Sequence, residues 1–206
     1  MLITISREFG AGGANVARLV AAELGWSVVD NEIIDRVAAR AGLTPAEVAD
    51  REERVPGFVE RLTLALAASS QEFYLPTAAP AATLDEAAVV RYTEMVVKEV
   101  AAEGRAVLVG RAAPAVLGAG GQVLHVRVVA RREFRLRVAM ERFGYDAKTA
   151  EKTLDEVDRN RERYHREYYH RDWQEPTLYH MTLNTELLGF DGAAGVIVAR
   201  AHRMGW

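Results

Sequence analysis

The chain has 206 residues, a formal net charge of −3 and no cysteine. Its length suits one substantial core and excludes two domains of ordinary size. Without cysteine there is no disulfide framework, no thiolate metal site and no cysteine nucleophile. The slightly acidic balance offers no general attraction to nucleic acid, because phosphate backbones bind basic surfaces. Charge comes too early for a signal peptide and no apolar run is long enough to span a bilayer, so we expect a cytoplasmic protein that binds no membrane.

Short apolar runs rich in β-branched residues alternate with helical patterns along the chain. That alternation predicts a parallel sheet connected by crossover helices. The first helix is predicted over Ala14–Leu24 and should end at Gly25, because glycine readily adopts the left-handed conformation that closes a helix. The predicted strands are Leu2–Ser6, Ser27–Asp30, Ala106–Gly110, Val123–Val129 and Met181–Thr185.

The middle of the chain carries two capping boxes, at Thr44–Glu47 and Thr83–Glu86. Each box pairs a hydroxyl with a glutamate three residues later and predicts the start of a helix. A further helix is predicted over Asn31–Ala41. The stretch before the second box contains two prolines and no regular pattern, so we expect a mobile lobe at about 44–82.

A glycine-rich turn follows the first strand in the segment SREFGAGGANVA. Glycine allows a tight turn, and a helix N-terminus directs free N–H groups at the turn, so an anion is the natural ligand. A purely structural turn is the alternative. We call Gly10–Gly13 the glycine loop. The predicted phosphate-binding residues are Gly10, Ala11, Gly12, Gly13, Ala14 and Asn15.

The glycine loop departs from the Walker pattern G-x-x-x-x-G-K-[ST], in which a lysine reaches the outer phosphates and a hydroxyl binds magnesium. Laid over this segment, the pattern places Arg7 at the first glycine, Gly13 at the lysine and Ala14 at the hydroxyl residue. Another cation must therefore replace the lysine if the loop binds a nucleotide.

Five segments carry a family resemblance: ITISREFGAGGANVA, VDNEIIDRVA, VLVGRAAPAVL, HVRVVARREFRLRV and LNTELLGFDGAAGVI. Together they resemble the cytidylate-kinase-like family over nearly the whole chain apart from about 55–85. The resemblance implies a three-layer α/β P-loop kinase fold over a single domain, 1–206. It also implies a five-stranded parallel sheet of order 2-3-1-4-5, a helical lobe of the type that binds nucleoside monophosphates, and a lid at about 155–175.

The activity that the resemblance implies is transfer of the terminal phosphate of ATP, or of another nucleoside triphosphate, to a small acceptor. Magnesium would be the cofactor, with no metal ligands of the protein's own assigned. A nucleotide such as CMP is one acceptor, but Ala112 replaces the aspartate by which true cytidylate kinases contact the nucleotide. The alternative is a nucleotide-binding or interaction protein that retains the fold without catalysis. The sequence does not decide the oligomeric state, and a homodimer is one possibility.

Three residues are predicted to bind the acceptor. The resemblance matches Arg36 and Arg111 to positions that bind the acceptor's phosphate, a task suited to the planar guanidinium group. Asp30 ends the second predicted strand, where it could orient an acceptor or a hydrated magnesium ion. A cap on the following helix explains Asp30 equally well.

Four residues are predicted to act in catalysis. By resemblance, Arg161 lies in the lid, with Asp158 and Arg159 as its neighbours, and Arg7 stands at the mouth of the glycine loop. Arg7 and Arg161 together are predicted to supply the charge of the missing lysine. The alternative for the arginine-rich lid is a solvated helix whose charges pair one turn apart.

Overall fold

The computed structural model describes residues 1–30 and 86–206. The predicted lobe at about 44–82, the helix over 31–41, both capping hydroxyls and Arg36 lie outside these residues. The chain divides into two compact units, Met1–Asp30 with Val97–Trp206, and Asn31–Val96. The division into one domain with a lobe and a lid stays a prediction. Among the described residues, no helix is both long and apolar enough to cross a membrane.

A single five-stranded sheet forms the centre of the first unit, and all its strand pairs are parallel. The strand order β2-β3-β1-β4-β5 confirms the predicted order 2-3-1-4-5. In the register, Leu2 pairs with Ala106 on one side and with Val123 on the other. The strands are β1 Leu2–Arg7, β2 Ser27–Val29, β3 Ala106–Val109, β4 Val123–Val129 and β5 Met181–Asn184.

Helices connect these strands, as the alternating sequence pattern predicted. The first begins at Gly13, one residue before the predicted start, and ends at Gly25 in a left-handed conformation with φ 66°. The helices are α1 Gly13–Leu24, α2 Glu86–Glu103, α3 Ala113–Leu117, α4 Arg132–Phe143, α5 Ala147–Tyr169 and α6 Thr185–Arg203, with a short 3-10 helix at Pro176–Leu178. Helix α6 is kinked at Gly189.

The two faces of the sheet bury different kinds of side chain, because successive residues of a strand point to opposite faces. Ile3 and Ile5 belong to the apolar core that includes residues of α1 and α6. Thr4 and Ser6 point the other way, where Thr4 contacts His125 and Ser6 contacts Trp173. Both faces are therefore covered, as is usual for a parallel sheet.

Parallel strands bring their carboxyl ends to one edge of the sheet, the edge at which ligands bind in open α/β folds. Arg7 ends β1, Asp30 follows β2 and Gly110 follows β3. The glycine loop leaves β1 at this same edge. The order of the strands thus places the loop between the ends of β3 and β4.

Candidate active site

The glycine loop is held against α4 and α6 at close range. A Cβ atom on Gly10 would lie 2.5 Å from the Arg135 carbonyl oxygen, and one on Gly12 would lie 2.2 Å from the Phe190 ring. Gly12 also has φ 79°, a conformation that other residues rarely adopt. The buried hydroxyl of Thr185 donates a 2.8 Å hydrogen bond to the Ala11 carbonyl. Packing and backbone conformation therefore both require small residues in this loop.

Four backbone N–H groups in the glycine loop and the first turn of α1 form no hydrogen bond with any residue that the structure describes: those of Gly10, Gly12, Gly13 and Ala14. The other two predicted phosphate-binding residues differ, since the Ala11 N–H donates to the Glu8 carbonyl and the Asn15 N–H to the Gly12 carbonyl. Unpaired N–H groups and a helix N-terminus together form a cradle for an oxyanion.

The Arg7 side chain runs past the glycine loop towards the ends of β2 and β3. A Cβ on Gly13 would lie 2.7 Å from the Arg7 Cβ, and one on Gly110 would lie 2.0 Å from the Arg7 Nη1. Its Nη2 is 3.9 Å from a carboxylate oxygen of Asp30. Arg7 therefore lies between the glycine loop and the strand ends where the acceptor is expected.

Arg161 approaches the same place from α5. Its Nη1 donates a 2.8 Å hydrogen bond to the Arg7 carbonyl and a 3.1 Å hydrogen bond to Asp158. Asp158 also accepts a 2.9 Å hydrogen bond from the Phe9 N–H. Arg161 and Asp158, both in the predicted lid, are thus fixed to the segment that leads into the glycine loop.

Both guanidinium groups carry positive charge that their surroundings compensate incompletely. Burial, and then repulsion from Arg7, lower the pKa of Arg161 to about 9, although Asp158 opposes the change. Burial also lowers the pKa of Arg7, opposed by Asp30 and Asp158. Arginine remains protonated at any working pH, so these shifts indicate two cations that a bound anion would stabilise.

The loop after β3 has an unusual backbone. Gly110, Arg111 and Ala112 have φ values of 80°, 57° and 49°, all in the left-handed region. This conformation is unfavourable for Arg111 and Ala112, which carry side chains, and such strain is commonly found at ligand sites. Arg111 is half-buried in this loop, directly after the glycine that Arg7 touches.

Arg159 does not join the cluster. Its side chain is exposed on α5. The predicted alternative of a solvated helix fits this face of α5, where Glu162 and Arg166 form an exposed pair of 3.5 Å. Helix α5 therefore combines an exposed charged face with a face that contacts the segment leading into the glycine loop.

Sequence reasoning missed two groups that organise the site, Arg135 and Glu8. Arg135 of α4 donates a 2.5 Å hydrogen bond to Asp158, and Glu8 lies 3.5 Å from the Arg135 Nε. The contact between Glu8 and Arg135 joins residues far apart in the chain. Only the charge of Glu8 beside a glycine-rich turn could have signalled it. The Trp173 indole donates a 2.9 Å hydrogen bond to the Ser6 hydroxyl of β1.

The residues present fit a magnesium–nucleotide complex, because one carboxylate near the glycine loop, that of Asp30, could serve as a metal ligand. Glu8 and Asp158 are engaged by arginines and backbone N–H groups, whereas Asp30 makes only the long Arg7 contact among the described residues. Those residues hold no group of three or more acidic or histidine side chains that could bind a metal alone. Magnesium commonly uses one carboxylate plus phosphate and water oxygens, which Asp30 and a bound nucleotide would supply.

Solved structures share this architecture. An uncharacterized protein from Eubacterium ventriosum is 21% identical with a TM-score of 0.65, and the match covers 98% of both chains. Shikimate kinase from Acinetobacter baumannii, in complex with shikimate, is 14% identical with a TM-score of 0.52 over 98% of this chain and 93% of that one. Shikimate kinase from Bacteroides thetaiotaomicron is 14% identical with a TM-score of 0.51, covering 99% and 97%. At these identities the similarity shows the fold, which is that of P-loop kinases.

No curated protein sequence matches the chain significantly. A family model does match, over residues 2–187, and its description is cytidylate kinase-like family. That range includes every strand, the glycine loop and the whole of α5. The chain belongs to the cytidylate kinase-like family.

Proposed function

We propose that this protein is a phosphotransferase that moves the terminal phosphate of ATP, or another nucleoside triphosphate, to a small acceptor. Family and fold point to a kinase-like enzyme acting on small substrates. The observation that carries the proposal is local: four unpaired N–H groups adjoin two incompletely compensated guanidinium groups. That combination suits a polyphosphate, whose charge grows on its outer oxygens during transfer.

In this proposal, the donor's phosphates bind the backbone N–H groups of the glycine loop and of Ala14. Arg7 and Arg161 take the place of the Walker lysine, because both lie beside the loop and burial lowers the pKa of each guanidinium group, so that a bound anion would stabilise its charge. Asp158 holds Arg161 in position. Magnesium, when bound, would screen the phosphate charge, with Asp30 as its protein ligand or as the group that orients the acceptor.

The acceptor is proposed to bind at the ends of β2 and β3, held by Arg111 and by Arg36. It carries a phosphate or a hydroxyl group, and CMP is the first compound to test. Ala112 offers no hydrogen-bonding group where the aspartate of true cytidylate kinases contacts the nucleotide. We therefore expect weak preference for cytosine over other bases.

The test is a transfer assay with magnesium and γ-labelled ATP against a panel of nucleoside monophosphates and small hydroxylated acids, including shikimate. Calorimetric titration with ATP and with CMP measures binding separately. Transfer to any acceptor above the rate of hydrolysis supports the proposal. ATP binding without transfer to any acceptor would favour the second candidate, a nucleotide-binding protein without catalysis. The observation that favours this candidate is the absence of the Walker lysine from the glycine loop.

A further inference from the structure

The carboxylate of Glu8 lies among arginines where β1 leads into the glycine loop. The proposed phosphate transfer needs no negative charge at this position. Glu8 is the residue directly after Arg7, and its side chain is 19% exposed. A negative charge this close to a phosphate site repels the ligand, so its presence needs a physical reason.

Glu8 joins three elements. One carboxylate oxygen lies 3.5 Å from the Arg127 Nη2 of β4, and the other lies 3.5 Å from the Arg135 Nε of α4. The second oxygen also accepts a 3.2 Å hydrogen bond from the Ala130 N–H, between β4 and α4. The backbone of Glu8 adds two bonds, from its N–H to the Val128 carbonyl and from the Ala11 N–H to its carbonyl.

The partners of Glu8 are themselves fixed. Arg127 is 4% exposed, donates a 2.6 Å hydrogen bond to the Trp173 carbonyl and lies 4.6 Å from the centre of the Trp173 ring. Arg135 is bound by Asp158 on its other side. Breaking one member of such a buried network leaves the remaining charges without compensation.

The arginines around the loop therefore fall into two classes. Arg127 and Arg135 each lie 3.5 Å from a carboxylate oxygen of Glu8. The carboxylate neighbours of Arg7 and Arg161 are instead Asp30 and Asp158. Glu8 accounts for the difference, because it binds both members of the first class. Without the Glu8 carboxylate, Arg135 would have one carboxylate partner fewer. The turn from β1 into the loop would lose three contacts, with Arg127, Arg135 and the Ala130 N–H.

We propose that Glu8 is a positioning residue that sets the geometry of the glycine loop by holding Arg127 and Arg135, and so reserves Arg7 and Arg161 for the anion. This inference rests on the proposed function, in that the anion is taken to be a polyphosphate. Glu8 does not touch the phosphates; it acts through the loop and the two arginines.

Electrostatics and positioning predict opposite effects of Glu8→Gln on anion binding. The substitution removes a negative charge near the site, which alone would tighten the binding of an anion. If Glu8 positions the loop, the lost geometry outweighs that gain. We expect inorganic tripolyphosphate to bind Glu8→Gln about tenfold more weakly than the unaltered protein.

The measurement is calorimetric titration of tripolyphosphate into the full chain, with Asp155→Asn as the matched control. Asp155 pairs with Arg132 between the same two helices, α4 and α5, but that pair is exposed and does not reach the loop. Asp155→Asn should bind tripolyphosphate as the unaltered protein does. Equal or tighter binding by Glu8→Gln would overturn the inference.

Amide hydrogen exchange gives a readout that does not depend on any ligand. The Phe9 N–H donates to the Asp158 carboxylate, and the Ala11 N–H donates to the backbone carbonyl of Glu8. Both should exchange faster in Glu8→Gln than in Asp155→Asn, because the loop that holds them is less fixed. If the unaltered protein binds no tripolyphosphate, the proposed function fails, and this exchange comparison still decides the role of Glu8. Unchanged protection of both amides would contradict the positioning role.

A variant that keeps the charge provides a second route if Glu8→Gln does not fold. Glu8→Asp retains the carboxylate but is one methylene shorter, so it cannot reach Arg127 and Arg135 together. We expect tripolyphosphate binding about threefold to tenfold weaker than in the unaltered protein, with the circular dichroism spectrum unchanged. Binding at the unaltered affinity would show that charge alone matters, against the inference.

Discussion

The side chain of Arg7 occupies the space that a side chain at Gly13 would need. A Cβ on Gly13 would lie 2.7 Å from the Cβ and 2.8 Å from the Cγ of Arg7. In the Walker pattern, position 7 carries the first glycine and position 13 the lysine. These two departures from that pattern are therefore coupled by packing, because the Arg7 side chain fills the space that a lysine side chain at position 13 would need.

This exchange predicts that the lysine cannot be restored alone. Gly13→Lys should weaken ATP binding by at least about tenfold, because overpacking against Arg7 costs about 1–3 kcal/mol and displaces its guanidinium group. The double variant Arg7→Gly, Gly13→Lys removes the clash and should recover part of the affinity. Calorimetric titration with magnesium and ATP measures both.

The control for that pair is Gly195→Ala in α6, where an added Cβ meets no atom within 4 Å. It should leave ATP binding unchanged and stabilise the protein by about 0.4–1 kcal/mol, since alanine restricts the unfolded chain more than glycine does. A double variant that binds ATP no better than Gly13→Lys would contradict the steric explanation.

Arg161→Ala should lower the rate of phosphate transfer on the order of 10³-fold, as for other arginines that stabilise the transition state. Donor affinity should fall less, because the backbone N–H groups of the glycine loop remain. Single-turnover rates and ATP dissociation constants separate the two effects. Arg163→Ala, on the exposed face of the same helix, is the control and should match the unaltered protein. Full activity of an Arg7→Ala, Arg161→Ala double variant would exclude both residues from catalysis.

Arg111→Ala should weaken binding of the acceptor by roughly 2–4 kcal/mol and leave ATP affinity nearly unchanged, because a charged hydrogen bond to phosphate is lost only on the acceptor side. Arg36→Ala should have the same effect. Equilibrium binding of each substrate to each variant provides the measurement. Equal losses for donor and acceptor would instead indicate that the arginines support the fold.

The stability of the protein should fall as the pH falls below about 6.5, partly through His165. This side chain is 5% exposed, its Nδ1 has no hydrogen-bond partner among the described residues, and burial followed by repulsion from Arg127 lowers its pKa to about 4. An unfolded histidine titrates near 6.5, so between these values the unfolded state binds the extra proton. The contribution is complete above about pH 6.5 and lost towards pH 4, on the order of 2–3 kcal/mol.

Urea unfolding at several pH values tests this contribution in His165→Leu, which should show a flatter decline between pH 6.5 and 4 than the unaltered protein. Burial also lowers the pKa of His125, so His125 still contributes to the loss of stability at low pH in the variant. The control His202→Gln changes an exposed histidine and should leave the decline as it is. An unaltered slope in His165→Leu would contradict the assignment.

The sequence by itself determined the sheet and the place of the loop. Strand and helix periodicities are local properties, and each predicted strand appears within one residue of its predicted bounds. Gly25 ended α1 as predicted, because a left-handed residue after a helix needs only the local chain. The strand order came from the family resemblance, carried by motifs spread along the chain.

Only the tertiary structure decided which charges act together. Arg161, Asp158 and Arg135 converge on Phe9 and Arg7 across more than 120 residues of chain, and no local pattern encodes such contacts. The sequence placed Arg159 beside Arg161 among the predicted catalytic residues, yet the turn of the helix exposes Arg159 and directs Arg161 to the loop. The reason is that burial and ion pairing depend on which helix face meets the sheet edge, and packing of the whole fold fixes that.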